Sequence, residues 1–151
     1  MMPASLVSQV AEDLASYRDA SISTLMTPIT EAEEHFDPNV VKVVTDKAGY
    51  ALYFSRAPIP WARDQYQASQ DVVAHSAHRH LGLYAYRARF LRAYPSLSAS
   101  AFEQLESLEQ LRALHHGFRI HLSVASELPG RGVDVEADLE AVRSMMSAPV
   151  Y

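Results

Sequence analysis

The stretch "VVKVVTDKAGYALYFSR", residues 40–56, constrains the fold more than any other. Two runs rich in Val, Tyr and Phe flank Asp46-Lys47-Ala48-Gly49, a four-residue connection with glycine last. β-branched and aromatic residues favour strands, and a short connection containing glycine between two such runs makes a hairpin. Its strands must be antiparallel. Elsewhere strand-like and helix-like segments alternate, the pattern that lays strands parallel in α/β domains. The expected fold is therefore α/β with a mixed sheet, in which the hairpin interrupts a parallel pattern.

The chain around the hairpin divides readily. After Pro3, Leu6, Val7, Val10, Ala11 and Leu14 recur at helical spacing, so an amphipathic helix opens the sequence. "ISTLMTPI", residues 22–29, reads as a strand, and "EAEEHFDPN" as a polar helical turn closed before Pro38. Residues 62–79 have no clear period and are expected to form a mobile or ligand-facing connection. "HLGLYAY" reads as a strand and "RARFLRAY" as a short helix. Ser100 and Glu103 then fit a capping box for one long helix, "AFEQLESLEQLRALHH", with Phe102, Leu105, Leu108, Leu111 and Leu114 as its apolar stripe and Gly117 as its stop. "RIHLSVASE" is a strand, "LPGRGVD" a glycine-rich loop and "VEADLEAVRSMM" a final helix. No repeat, linker or low-complexity segment divides the chain, which is read as a single domain over residues 1–151.

Composition removes several classes of function. The absence of cysteine excludes disulfide scaffolds, thiolate zinc sites and cysteine nucleophiles. A net charge of -5 with no basic cluster argues against nucleic acid as a partner. No apolar run suggests a membrane span, and "MMPASLVSQVAEDLASYRD" lacks the basic lead of a signal peptide, so a cytoplasmic location is expected. The motifs G-x-x-x-x-G-K-[ST], G-x-G-x-x-G and G-x-S-x-G are all missing, and with them the familiar phosphate cradles and the nucleophile elbow.

Four groups of residues carry possible chemistry. Arg56 ends the second hairpin strand, and Pro58 and Pro60 stiffen the segment between it and Arg63. Arginine's planar fork grips a carboxylate or phosphate through paired hydrogen bonds, although a solvated strand end stopped by prolines would look the same. His75, His78 and His80 cluster in "HSAHRH" without a second ligand group at metal spacing, so solvated or singly functional histidines are favoured over a His-rich metal site. His80 differs in opening a strand, where Gly82 would allow close approach of a ligand or backbone. Glu109 and Arg112 suit an i, i+3 ion pair, while Glu109 and Gln110 could instead bond sugar hydroxyls. Asp134 is either an N-cap for the last helix or a ligand for a hard cation such as magnesium.

Four blocks, "VKVVTDKAGYALYFSRAPIPWARD", "RHLGLYAYRARFLRAY", "LESLEQLRAL" and "PGRGVDVEADLEAVR", resemble the 3-deoxy-manno-octulosonate (Kdo) cytidylyltransferases, also called CMP-Kdo synthetases, in the family's order and with similar separations. "PASLVSQVAEDLA" and "EAEEHFDPN" resemble it too, so practically the whole chain is covered. The resemblance implies a nucleotide-diphospho-sugar-transferase-like, Rossmann-like fold. It also implies a homodimer of a Gram-negative type of organism that joins CTP to the sugar acid Kdo, with magnesium, for lipopolysaccharide biosynthesis. Carried over by motif, Arg56 and Arg63 would face the Kdo carboxylate and phosphate side, His80, Tyr84, Glu109 and Gln110 would hold the sugar, and Asp134 would bind Mg2+. Tyr86 shares the strand face of Tyr84 and is an alternative sugar contact. Family members also carry an R-x-x-S-x-R-L-P-G-K-P-L loop and a Q-G-D-E-P loop, both missing from this sequence. The expectation is the C-terminal part of such an enzyme, incomplete at its N-terminus, prone to self-association and without turnover alone. Other readings are a non-catalytic sugar-acid-binding or regulatory module, or part of a sialic-acid cytidylyltransferase.

Overall fold

A computed structural model describes residues 2–69, 71–74, 76–128 and 143. The chain opens with helix α1 (Ala4–Ser16) and strand β1 (Ile22–Pro28), followed by the single turn α2 (Ala32–Phe36). The hairpin β2 (Lys42–Thr45) and β3 (Ala51–Ser55) comes next, then α3 (Arg63–Ala68) and the long strand β4 (His78–Tyr86). Helices α4 (Ala88–Ala93), α5 (Ala101–Glu106) and α6 (Gln110–His115) lead to β5 (Ile120–Val124).

The sheet runs β3-β2-β4-β1-β5 and is mixed, as expected. It is less parallel than the alternation of elements predicts: β1 and β5 are the parallel pair, and every other pairing is antiparallel. Both faces of β1 are covered, so its buried residues Ile22 and Met26 join the core beneath α4 to α6, while Leu25 packs with Leu6 and Val10 of α1. The buried stripe of α1 is narrower than its periodicity suggests, because Val7 and Ala11 face outward.

The hairpin turn has a specific architecture. Asp46 Oδ1 accepts the N–H groups of Ala48 and Tyr50 at 2.8 and 2.9 Å, and Gly49 takes a positive φ of 80°. The turn also reaches the far edge of the sheet, where the Gly49 carbonyl accepts the Leu122 N–H at 2.8 Å. Tyr17 stacks on His121 beside this contact, with centroids 3.4 Å apart, and the Arg119 guanidinium lies 3.5 Å from the centroid of the Tyr50 ring.

Two segments differ from their sequence patterns. Where residues 62–79 show no clear period, α3 forms and buries Tyr66 against Ile29, Ala74 and Ala77, and the Tyr66 hydroxyl accepts the Ala74 N–H. The helix expected over 101–116 is two helices, broken at Ser107, whose φ of 53° is left-handed. The capping box of Ser100 and Glu103 is formed, and Gly117 ends α6 at a φ of 78°. Of the expected stripe, Leu108 and Leu111 are buried, whereas Phe102 and Leu105 are exposed.

Candidate functional site

Strand β4 carries the first part of the site. Its register against β1 jumps between Thr24, opposite Tyr84, and Leu25, opposite Leu81, so Gly82 and Leu83 bulge out. Thr24 fills the gap: its hydroxyl lies 3.0 Å from the Leu81 carbonyl, 2.8 Å from the Leu83 carbonyl and 2.9 Å from His80 Nε2. The single hydroxyl proton goes to a carbonyl, which assigns the His80–Thr24 proton to Nε2 and leaves Nδ1 as an acceptor. Burial pushes the His80 imidazole down to about 4, so the ring is neutral near pH 7. Gly82 has no protein atom within 4 Å of its Cβ position and faces open space rather than a neighbouring backbone.

His80, Tyr84 and Tyr86 form a continuous aromatic row, with successive centroids 5.2 and 5.5 Å apart. The row continues through Phe90 to Tyr94. Burial, then Tyr86 and Glu109, raise the Tyr84 phenol well above its usual range, so it stays a hydrogen-bond donor. A cavity of about 230 Å³ lies alongside, lined by Tyr86, Tyr94, Glu109 and Gln110 over an apolar floor of Ile22 and Phe90. Its lining is almost wholly apolar; Glu109 and Gln110 border it because the break at Ser107 resets the helix, starting α6 at Gln110. Arg112 does not form the i, i+3 pair with Glu109, one of the two readings of their spacing. It forms a bidentate bond to Glu103, through Nε to Oε2 at 2.8 Å and Nη2 to Oε1 at 2.5 Å, which holds α5 against α6. Glu109 is thereby left beside Tyr84 and Tyr86.

The sheet register places Arg56 at the His80 end of β4, away from the cavity at Tyr86. Lys42 pairs with Ser55 on one side and with Arg79 on the other. The next row is therefore Arg56, Val41 and His80, and the His80 N–H donates to the Val41 carbonyl at 2.8 Å. Arg56 and His80 stand two strand spacings apart, about 10 Å, with Phe54 edge-on to His80 at 5.1 Å.

The guanidinium of Arg56 is tied down through neutral groups. Nε donates to the Glu106 carbonyl at 2.7 Å and Nη1 to the Pro38 carbonyl at 3.0 Å. The Ile59-Pro60 peptide just beyond is cis. Beneath the tip, Lys42 is fully buried, its Nζ donating to the carbonyls of Asp37 and Val40 at 2.7 and 2.6 Å. Burial lowers the Lys42 pKa, partly offset by Asp37.

Other expected residues are placed differently. Arg63 starts α3 with its side chain 86% exposed, 3.9 Å from Asp64, and the structure does not bring it to the His80 row. His78 bonds the Ser76 carbonyl through Nδ1, and no group of three or more His, Asp or Glu among the described residues could hold a metal. His75 and Asp134 lie outside the described residues. Sequence reasoning missed Thr24, Lys42 and Glu106, which hold the site residues in place. Lys42 alone left a trace, as the one charge inside "VVKVV".

A cation at the tip of β3, a neutral imidazole, phenols, a carboxylate and an amide thus follow one another along the mixed sheet, from the start of β4 to its end. The cytidylyltransferase family model matches residues 1–120, and the chain belongs to that family. Within it, the chain is similar to 3-deoxy-manno-octulosonate cytidylyltransferases. It is 56% identical over 149 residues to the protein of that name from Nitrosococcus oceani, covering 97% of this chain and 58% of that protein. To the Halorhodospira halophila protein it is 57% identical over 144 residues, 94% of this chain and 56% of the relative. A solved structure of a CMP:2-keto-3-deoxy-manno-octonic acid synthetase complexed with CTP superimposes with a TM-score of 0.81 at 38% identity, over 93% of this chain and 55% of that one. The chain thus spans little more than half the length of these relatives. No described helix is long and apolar enough to cross a membrane.

Proposed function

We propose that this chain supplies the sugar-acid half of a cytidylyltransferase that joins CTP to Kdo, giving CMP-Kdo and pyrophosphate for lipopolysaccharide biosynthesis. The observation that carries this reading is the row Arg56, Val41, His80, which puts a guanidinium level with the neutral imidazole that starts the aromatic row of β4. Arg56 takes the carboxylate of the sugar acid. Neutral His80 accepts a hydroxyl proton at Nδ1, Tyr84 donates from its phenol, and Glu109 and Gln110 bond the remaining hydroxyls from α6. Arg63, exposed at the start of α3, is the contact proposed for the phosphate side. In the reaction the anomeric oxygen bonds to the α-phosphorus of CTP as the bond to pyrophosphate breaks, and catalysis comes mainly from positioning. Magnesium, with Asp134 as one ligand, would offset charge on the phosphates. The enzyme is proposed to be a cytoplasmic homodimer of Gram-negative bacteria.

Titration calorimetry of the chain with Kdo, with and without magnesium, tests the reading. Binding to the wild type that weakens at least about tenfold in Arg56→Ala, roughly 1.4 kcal/mol, is expected. Absence of binding to the wild type at millimolar Kdo overturns it.

A further inference from the structure

We infer that Glu106 is the positioning residue for Arg56: it fixes the strand tip through uncharged groups and leaves the guanidinium's charge free for an anionic ligand. The ligand class rests on the sugar-acid reading above, whereas the positioning rests on geometry alone.

Both carboxylate oxygens of Glu106 are engaged by neutral donors. Oε1 accepts the Ser55 hydroxyl at 2.6 Å and Oε2 accepts the Arg56 backbone N–H at 2.9 Å. The Ser55 oxygen accepts the Ala57 N–H at 3.0 Å in turn, so one carboxylate orders three successive residues at the end of β3. The Tyr53 hydroxyl faces it as well. The guanidinium is gripped by the backbone carbonyls of Glu106 and Pro38. Among the described residues no carboxylate pairs with the guanidinium within 4.0 Å. This division has a consequence for binding. A carboxylate laid directly on the guanidinium would cancel its charge and occupy the fork that a ligand's carboxylate needs. Carbonyl acceptors fix the plane and leave a full positive charge with N–H groups to spare.

The break at Ser107 belongs to the same device. In an uninterrupted helix the Glu106 carbonyl would accept the N–H four residues on, at Gln110. With Ser107 left-handed, that carbonyl is released and taken by Arg56 Nε. The opposite wall is fixed by Lys42, whose bonds to the Asp37 and Val40 carbonyls set the loop that presents the Pro38 carbonyl. Lys42 and Arg56 repel each other across this loop, and Glu106 and Asp37 offset that repulsion.

The test combines a spectroscopic signature with binding. The Arg56 Nε–H resonance is assigned in ¹H–¹⁵N spectra by its loss in Arg56→Lys, and its solvent exchange is measured in wild type, Glu106→Gln and Ser55→Ala. Exchange at least about tenfold faster in Glu106→Gln is expected, with Kdo affinity about tenfold weaker and no further weakening when Glu106→Gln is added to Arg56→Ala. Ser55→Ala, which keeps the carboxylate and removes one of its donors, shows a smaller change in the same direction and serves if Glu106→Gln does not fold. A purely structural role would lower the unfolding midpoint without altering Arg56 exchange, and unchanged exchange in a folded Glu106→Gln or Ser55→Ala protein overturns the inference. If exchange changes but wild type binds no Kdo, the positioning stands and the sugar-acid reading falls.

Discussion

Replacing Gly49 by alanine tests how the hairpin is locked to the rest of the sheet. An alanine there must hold a φ of 80°, which costs an L-residue about 1 kcal/mol. Its Cβ would also lie 2.9 Å from the Leu122 carbonyl oxygen and 2.9 Å from His121 Nε2. The carbonyl is backbone in a paired strand and cannot swing aside, so the turn must retreat. Retreat opens the 2.8 Å bond from the Leu122 N–H to the Gly49 carbonyl, a net loss of about 1 kcal/mol. Residual crowding at the buried His121 adds about 1 kcal/mol, for a total of about 3 kcal/mol. Gly117 is the internal control, since its φ of 78° is almost the same and its Cβ position meets nothing within 4 Å. Gly117→Ala should therefore cost about 1 kcal/mol. Urea unfolding followed by far-UV circular dichroism reads both: with m near 2 kcal/mol/M, the midpoints fall by about 1.5 M and about 0.5 M. Equal midpoints for the two variants, at unchanged m, would refute the close-contact argument.

Ser107→Gly is expected to stabilise the protein by about 0.5 kcal/mol, because glycine adopts the left-handed conformation freely. In a continuous helix the same change would destabilise by a similar amount, so the sign from urea unfolding separates the two structures. Thr24→Val leaves two strand carbonyls and His80 Nε2 without their shared partner, at a cost of about 2 kcal/mol in the same assay. The folded-state value of about 4 for His80 lies below the ordinary histidine value of 6.5, so between these pH values the unfolded chain holds the extra proton. Stability should be intact above pH 6.5 and fall toward pH 4, by up to about 3 kcal/mol from this residue. His80→Gln should flatten most of that slope; His35 and His121, also pushed down by burial, account for the remainder.

The parts of the fold legible in the sequence are those set by local chemistry. The hairpin followed from strand formers around a short turn, and the capping box from Ser100 and Glu103 three residues apart. The broken helix was concealed by a stripe that looked regular. Phe102, Leu105, Leu108, Leu111 and Leu114 are spaced strictly by three, and each such step drifts about 60° around an α-helix. Five of them cannot share one face, and a break that resets the phase is how Leu108 and Leu111 become buried. In the site, His80, Tyr84, Glu109 and Gln110 were named through resemblance, and the structure sets them along one row and cavity wall. Glu106 and Thr24 escaped notice because an acidic residue in an amphipathic helix and a threonine in a strand have ordinary explanations. Their roles arise from partners far away in sequence, Arg56 and His80, which no local pattern records.

The clasp between Gly49 and Leu122 also sets a timetable for the nascent chain. The hairpin can zip up soon after it leaves the ribosome, because its strands are neighbours in sequence. Its turn has nothing to grip until β5 emerges, and β1 waits as long for its parallel partner, since Ile22 pairs with Ile120. At roughly 5–20 residues per second, that leaves a sheet edge unguarded for seconds during each round of translation.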